Sequence, residues 1–289
     1  MRRVLCSPRM VFPDDPRAVW ARHALSRQAL VKLVAGFTRH GVDVLAVKGV
    51  VTSSWLYEDS SERPLHDVDV RIRPRDFGLA VGAATREGWQ VDRRLWTYRN
   101  LVLRIDGVSV DVEASLGSPF VSALGVDQLF ARATRTQEGF WVPELHDHAL
   151  LLTVNVFKDK LICAAPWAVE DVRRVVRRRG FDPQVLVARA REAALTAAVW
   201  VVADWMAGSA GDPAWREVRA LLGGDSPARY RYTRALGRLV ARREPTALAL
   251  RVLTRMASDD PARWLPAVAV AAAWELESRV ALTWGARRR

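Results

Sequence analysis

Asp67-Val68-Asp69 is the segment of this chain whose residue types and spacing most directly suggest chemistry. From Asp67 to Arg73 polar and apolar residues alternate, with Asp67, Asp69, Arg71 and Arg73 on one face and Val68, Val70 and Ile72 on the other. Period two is the signature of a half-buried β-strand. Two carboxylates at i and i+2 then project from one side of the strand, and their mutual repulsion raises the proton affinity of one unless a cation intervenes. Mg²⁺ is suited to that place, because it takes hard oxygen ligands and shares a few carboxylates with phosphates and water. A lone Asp-x-Asp, however, is more often an ordinary solvated strand face.

Two further segments change the balance. Val110-Asp111-Val112-Glu113 repeats the alternation, with Asp111 and Glu113 on one face. If this strand lies beside Asp67–Arg73, three carboxylates converge, enough to hold two Mg²⁺ ions around an in-line phosphoryl or nucleotidyl displacement. Upstream, Val47-Lys48-Gly49 stands where a strand gives way to a helix. Gly49 allows close backbone approach to a phosphate, the helix start offers N–H groups to an anion, and Lys48 adds a point charge. Lysine is rare here: the chain has 44 Lys and Arg together, and only Lys32, Lys48, Lys158 and Lys160 are lysines. Such positions favour a compact ammonium over a guanidinium.

The elements that must position these groups follow from periodicity and punctuation. Pro16–His40 has helical spacing and is stopped by Gly41. Val42–Val47 reads as a short buried strand and Val50–Tyr57 as a helix, followed by a loop through Pro64. Pro74 suits a helix start for Arg75–Glu87, which Gly88 ends. Trp89–Arg93, Tyr98–Ile105 and Val108–Ala114 read as strands, the last two joined by the hairpin dipeptide Asp106-Gly107. From about residue 145 the pattern becomes helical: His146–Lys160, Trp167–Arg179, Pro183–Met206, Pro213–Leu222, Ala228–Arg242, Thr246–Met256 and Pro261–Trp284. There is no repeat of fixed period, so a bundle is expected rather than a solenoid.

Composition narrows the class. Half the residues are hydrophobic and 26% are charged, a folded rather than a disordered balance. The formal net charge of +12 favours anionic partners without naming one. Cys6 and Cys163 are too few for a thiolate metal site or a disulfide framework. The longest apolar runs, Ala193–Ala203 and Pro266–Trp274, are about ten residues, against roughly 20 for a membrane span. A cytoplasmic protein without a membrane partner is expected.

The ordered set Leu45-Ala46-Val47-Lys48-Gly49, Leu56-Tyr57, Arg63, His66-Asp67-Val68-Asp69-Val70, Asp76, Gly88-Trp89 and Val110-Asp111-Val112-Glu113 resembles the uncharacterised bacterial nucleotidyltransferase-like family, a branch of the DNA polymerase β-like superfamily. The resemblance spans about residues 42–116. It implies an α+β fold: a nucleotidyltransferase-like mixed sheet with flanking helices in residues 1–144, then an all-α helical domain in 145–289. It implies Asp67 and Asp69 as metal ligands and Asp111 as third carboxylate and base for the acceptor hydroxyl. Lys48 and Gly49 would cradle the nucleotide, ATP or another NTP, with Lys158 on the first helix after the sheet gripping the triphosphate and Lys160 second in line. Two departures stand out: Lys-Gly replaces the superfamily's usual Gly-Ser, and Glu113 stands where histidine is frequent.

Other residues keep two readings. Arg63 meets a phosphate, or pairs with Glu58 or Glu62. Glu170-Asp171 reaches the nucleotide or serves the helix. Arg173, Arg174 and Arg177–Arg179 form an RNA-binding surface or a solvated one. His66 is structural or solvent-facing, His146-Asp147-His148 is a helix start, and the Trp residues are core.

The function expected is Mg²⁺-dependent transfer of NMP, with two ions, from an NTP to a hydroxyl of a metabolite, a protein or peptide, or a tRNA, releasing pyrophosphate. The alternative is a catalytically inactive module on the same fold that binds RNA or a protein through its basic surface.

Overall fold

A computed structural model describes residues 15–158, 166–209, 211–223 and 258–286. Lys160, Cys6, Cys163 and the expected helices 228–242 and 246–256 lie outside them. The described residues form two compact units, one of 15–119, 125–144 and 266–286, the other of 120–124 and 145–265.

The first unit begins with α1 (Pro16–Arg39), β1 (Leu45–Val47), α2 (Gly49–Trp55) and β2 (Val68–Arg71). A single 3₁₀ turn, Pro74–Asp76, leads into α3 (Phe77–Arg86), so the expected helix 75–87 starts two residues late. Then come β3 (Gln90–Leu95), β4 (Asn100–Ile105), β5 (Val108–Glu113), α4 (Val126–Arg132), β6 (Thr134–Arg135) and β7 (Trp141–Val142). Asp106 and Gly107 turn the β4–β5 hairpin with φ of 50° and 81°, the pair of positive values a type I′ turn requires.

The strands make one mixed sheet of seven, in the order β3-β4-β5-β2-β1-β7-β6. β2 lies at its centre, antiparallel to β1 and parallel to β5. Val68, Val70, Ile72, Leu101, Leu103, Val110 and Val112 face one side and pack with Leu30, Leu33 and Phe37 of α1 and with Phe77, Ala80 and Ala83 of α3. Asp69, Arg71, Asp111 and Glu113 are on the other side.

The expected strand Asp67–Arg73 is shorter, and Asp67 precedes it, exposed. Its burial also differs from the half-buried expectation: all four residues of β2 are buried, Asp69 at 7% and Arg71 at 1% exposure. Alternation told the two faces apart by polarity. It did not tell that charged side chains from neighbouring strands cover the polar face.

The second unit contains α5 (Leu145–Lys158), α6 (Pro166–Val175), α7 (Pro183–Glu192), α8 (Thr196–Ser209) and α9 (Pro213–Leu222). Trp215 is fully buried there and donates its indole N–H to the Val172 carbonyl at 3.3 Å. The last helix, α10 (Trp264–Ala286), begins in this unit and continues into the first. Its Glu277 accepts from the Trp96 backbone N–H at 3.0 Å, and its Trp274 ring lies 6.1 Å from Tyr98.

Four helical starts use one device. Asp15-Pro16, Asp182-Pro183, Asp212-Pro213 and Asp260-Pro261 place an aspartate whose side chain accepts a backbone N–H of the first turn, followed by a proline that lacks an N–H to satisfy. The expected single helix Pro183–Met206 is in fact two, separated at Ala194, where φ is 55°. No glycine or proline marks this break. Asp259 makes it, accepting from the N–H groups of Thr196 at 2.5 Å and Ala197 at 3.2 Å from 63 residues away in sequence. Replacing Asp259 with Ala should cost about 1 kcal/mol, seen as a lower denaturant midpoint by circular dichroism with an unchanged m value. An unchanged midpoint would show that the cap carries no stability.

Candidate active site

The register of the sheet assembles the site. β2 and β5 pair with Asp69 opposite Asp111 and Arg71 opposite Glu113. Adjacent strands are about 4.8 Å apart, so Asp69 and Asp111 are lateral neighbours on one face. One row crosses the sheet as Val47, Asp69, Asp111, Val102 and Arg93, the last on the exposed edge strand. Asp67, two residues before Asp69, lies at the entry to β2.

Each of three carboxylates on this face has its own partner. Lys48 Nζ lies 2.7 Å from Asp69 Oδ1. The Arg71 guanidinium lies 2.6 Å from Glu113 Oε2, with the Arg71 side chain 2% exposed. Asn100 Nδ2 donates to Asp111 Oδ1. Arg73, expected to share the aspartate face, bonds Asp43 at 2.6 Å and reaches Asp127 at 3.3 Å, its guanidinium stacked 4.1 Å over Phe130.

Lys48 reaches Asp69 from a turn in an uncommon conformation. It caps α2 with φ 54° and ψ −134°. A non-glycine residue held there costs of order 1–3 kcal/mol, and such residues gather at functional sites. Gly49 follows for a steric reason: a Cβ would come within 2.5 Å of Arg63 Nη1 and 2.6 Å of Leu65 Cδ1. Arg63 is buried, donates to the Pro64 carbonyl at 2.9 Å, and its own carbonyl bonds His23 Nε2 at 2.8 Å. Burial holds the His23 imidazole below its ordinary pKa, so it is neutral at pH 7. Arg63 thus backs the Lys48-Gly49 turn from a buried position.

The proton affinity of Asp111 is raised. Burial first, then the negative charges of Glu113 and Asp69, push its pKa up to about 7, while Lys48 and Arg71 pull it down. Hydroxyl-directed proton transfer and cation binding are both within the chemistry of such a pair. Among the described residues no three His, Cys, Asp or Glu side chains are disposed as a ready metal cluster. Asp69 and Asp111 nonetheless suit Mg²⁺, which needs only one or two protein carboxylates alongside phosphate oxygens and water. Their adjacency also supplies a repulsion that a cation relieves.

Residues 12–207 match the family described as uncharacterised nucleotidyltransferase, more than half of the chain. The chain belongs to this family. No curated protein is similar enough in sequence to stand as a relative. Among solved structures this nucleotidyltransferase family member is similar to the antibiotic-resistance factor ANT(2'')-Ia, with 14% identity and a TM-score of 0.42 over 57% of this chain and 91% of that one. A likeness of that size carries no argument about chemistry.

The remaining candidates are placed as follows. The side chains of Lys158 and Lys160 lie outside the described residues. Glu170 bonds Arg173 at 2.8 Å and Arg174 at 2.9 Å, and Arg177 pairs with Asp212 at 3.2 Å, so much of the basic cluster is engaged within its own unit. His146 accepts from the Asp182 N–H at 2.9 Å and stacks on Phe181, and Asp147 is buried 3.3 Å from Arg189. No helix of the described residues is long and apolar enough to cross a membrane. Sequence reasoning missed Asn100. Its signal was an amide at the start of β4 on the polar face, opposite Glu113, legible only once the hairpin register is known.

The raised pKa of Asp111 has a consequence for stability. Its folded-state value is above the ordinary 3.8. The folded protein therefore keeps a proton that the unfolded chain releases, and stability falls as pH rises from about 4 to about 7. Asp111→Asn removes this cost. With Mg²⁺ chelated, the variant should melt above the parent at pH 8 and level with it at pH 4. Equal melting at both pH values would show that Asp111 carries no penalty.

Proposed function

We propose that the protein is a Mg²⁺-dependent nucleotidyltransferase, moving NMP from an NTP such as ATP to the hydroxyl of an acceptor and releasing pyrophosphate. The observation that carries this reading is the in-register pair Asp69–Asp111 at the sheet centre, with the Lys48 ammonium against Asp69. Asp67, Asp69 and Asp111 are the residues that would hold the metal. Bound there as one or two ions, Mg²⁺ would polarise the phosphate oxygens and acidify the acceptor hydroxyl. Asp111 accepts the acceptor's proton. Lys48 supplies a positive charge for the triphosphate from a turn that Gly49 and Arg63 hold in place, and Lys158 is a further triphosphate contact. The acceptor is a metabolite, a protein or peptide, or a tRNA.

One observation favours a second reading. Lys48 already neutralises Asp69, as expected if an ammonium has taken over the place of a cation. On that reading the fold binds RNA or a protein partner through its basic surface without turnover.

Incubation with α-radiolabelled NTPs, Mg²⁺ and a cell extract decides between them. Wild type should transfer label, and Asp69→Asn should lose about 100-fold or more of it, in line with removing a group essential to transition-state charge stabilisation. Nuclease or protease sensitivity of the labelled product then gives the acceptor class. No transfer, together with no Mg²⁺-dependent NTP binding, would leave the second reading standing, with RNA binding that weakens steeply with salt as its mark.

A further inference from the structure

Three carboxylates on the catalytic face differ in the kind of partner that holds them. Asp69 has the Lys48 ammonium, Glu113 has the Arg71 guanidinium, and Asp111 has the neutral carboxamide of Asn100. A cation offsets a carboxylate's charge. An amide N–H orients the carboxylate and leaves its charge to act elsewhere. Asp111 is therefore the one of the three that is held in place without being neutralised by its own hydrogen-bond partner.

The fold makes Asn100 the residue able to do this. It opens β4 opposite Glu113, and Asp111 is opposite Val102, which has no polar side-chain atom. Residues two apart on a strand share a face, so Asn100 meets Asp111 on the diagonal. Asn100 is 3% exposed, and its Oδ1 is buried without a hydrogen-bond partner among the described residues. An unsatisfied buried acceptor is unfavourable, and an apolar residue at this place would avoid it. What the amide supplies in exchange is the donor to Asp111.

We propose that Asn100 is a positioning residue for nucleotidyl transfer, fixing Oδ1 of Asp111 so that the other oxygen is set for the shared site with Asp69. This rests on the functional reading above. Asn100→Leu keeps the branched shape, with a larger volume, and removes the donor. Residues that orient metal-binding or reacting groups from behind typically change metal affinity or activity by about 10–100-fold.

The test pairs kinetics with a measurement independent of turnover. In Asn100→Leu, kcat should fall about tenfold or more and the Mg²⁺ concentration for half-maximal activity should rise, while the KM for NTP stays within about threefold and the melting temperature is not lowered. A purely structural role would move KM and melting together, and a kcat within twofold of wild type would overturn the proposal. In wild-type protein, the Asn100 side-chain amide protons should exchange slowly and shift on Mg²⁺ addition, by NMR, and both features should vanish in Asp111→Ala. Fast exchange with no response to Asp111→Ala would also overturn it. Should wild type transfer no nucleotide, the functional reading falls by itself, and the amide signals still decide whether Asn100 holds Asp111.

Discussion

Asp69 and Asp111 stand opposite each other on adjacent strands at the centre of the sheet, and the charge of this pair constrains everything around it. Like charges on adjacent strands about 4.8 Å apart repel strongly where water is largely excluded. The chain meets that repulsion with the Lys48 ammonium, and partly by letting Asp111 hold a proton near neutral pH. The strained backbone of Lys48 and the packing of Gly49 on Arg63 and Leu65 are intelligible as the support that keeps this ammonium in place.

The parallel pairing of β2 with β5 is what brings the aspartates together, and parallel strands need a crossover. Here α3 leaves β2, and the β3–β4–β5 meander returns the chain to lie beside it. The apolar side chains of the same strands bury against α1 and α3. A slip of one residue in β2 or β5 would move the aspartates into that core and the valines out of it. Hydrophobic burial on one face thus secures the register that the chemistry on the other face needs.

Charged side chains also cover the polar face. Arg71 with Glu113 is a nearly buried pair, and removing either partner from such a pair typically costs about 3–5 kcal/mol because the other charge is left stranded. Replacing both by apolar residues is often neutral, so the pair is better understood as specifying which side chains lie beside Asp111 than as a source of stability. It also gives Glu113 a place in the site as the counter-charge to Arg71.

Local chemistry was readable without a structure. The Asp-Pro helix starts, the glycine stops at Gly41 and Gly88, the Asp106-Gly107 hairpin and the alternation through β2 and β5 each depend on residues within a few positions of one another. That is why the α+β order of elements and the carboxylate-bearing strands were legible in the sequence. Elements of marginal length were not: β6 and β7 have two residues each, too few for a period, and α4, of seven residues, begins at Val126 after Gly125, which has no side chain to cap it. The break at Ala194 was hidden because its cap, Asp259, arrives from a distant part of the chain. The same holds for the site. The sequence by itself determined which faces carry carboxylates and which carry valines, since side-chain direction alternates along any strand. Only the tertiary structure decided that Asp69 faces Asp111, that Lys48 and Arg71 bury with Asp69 and Glu113, and that Asn100 holds Asp111. Those contacts depend on strand order and register, which are settled by how whole elements pack and not by any short run of residues.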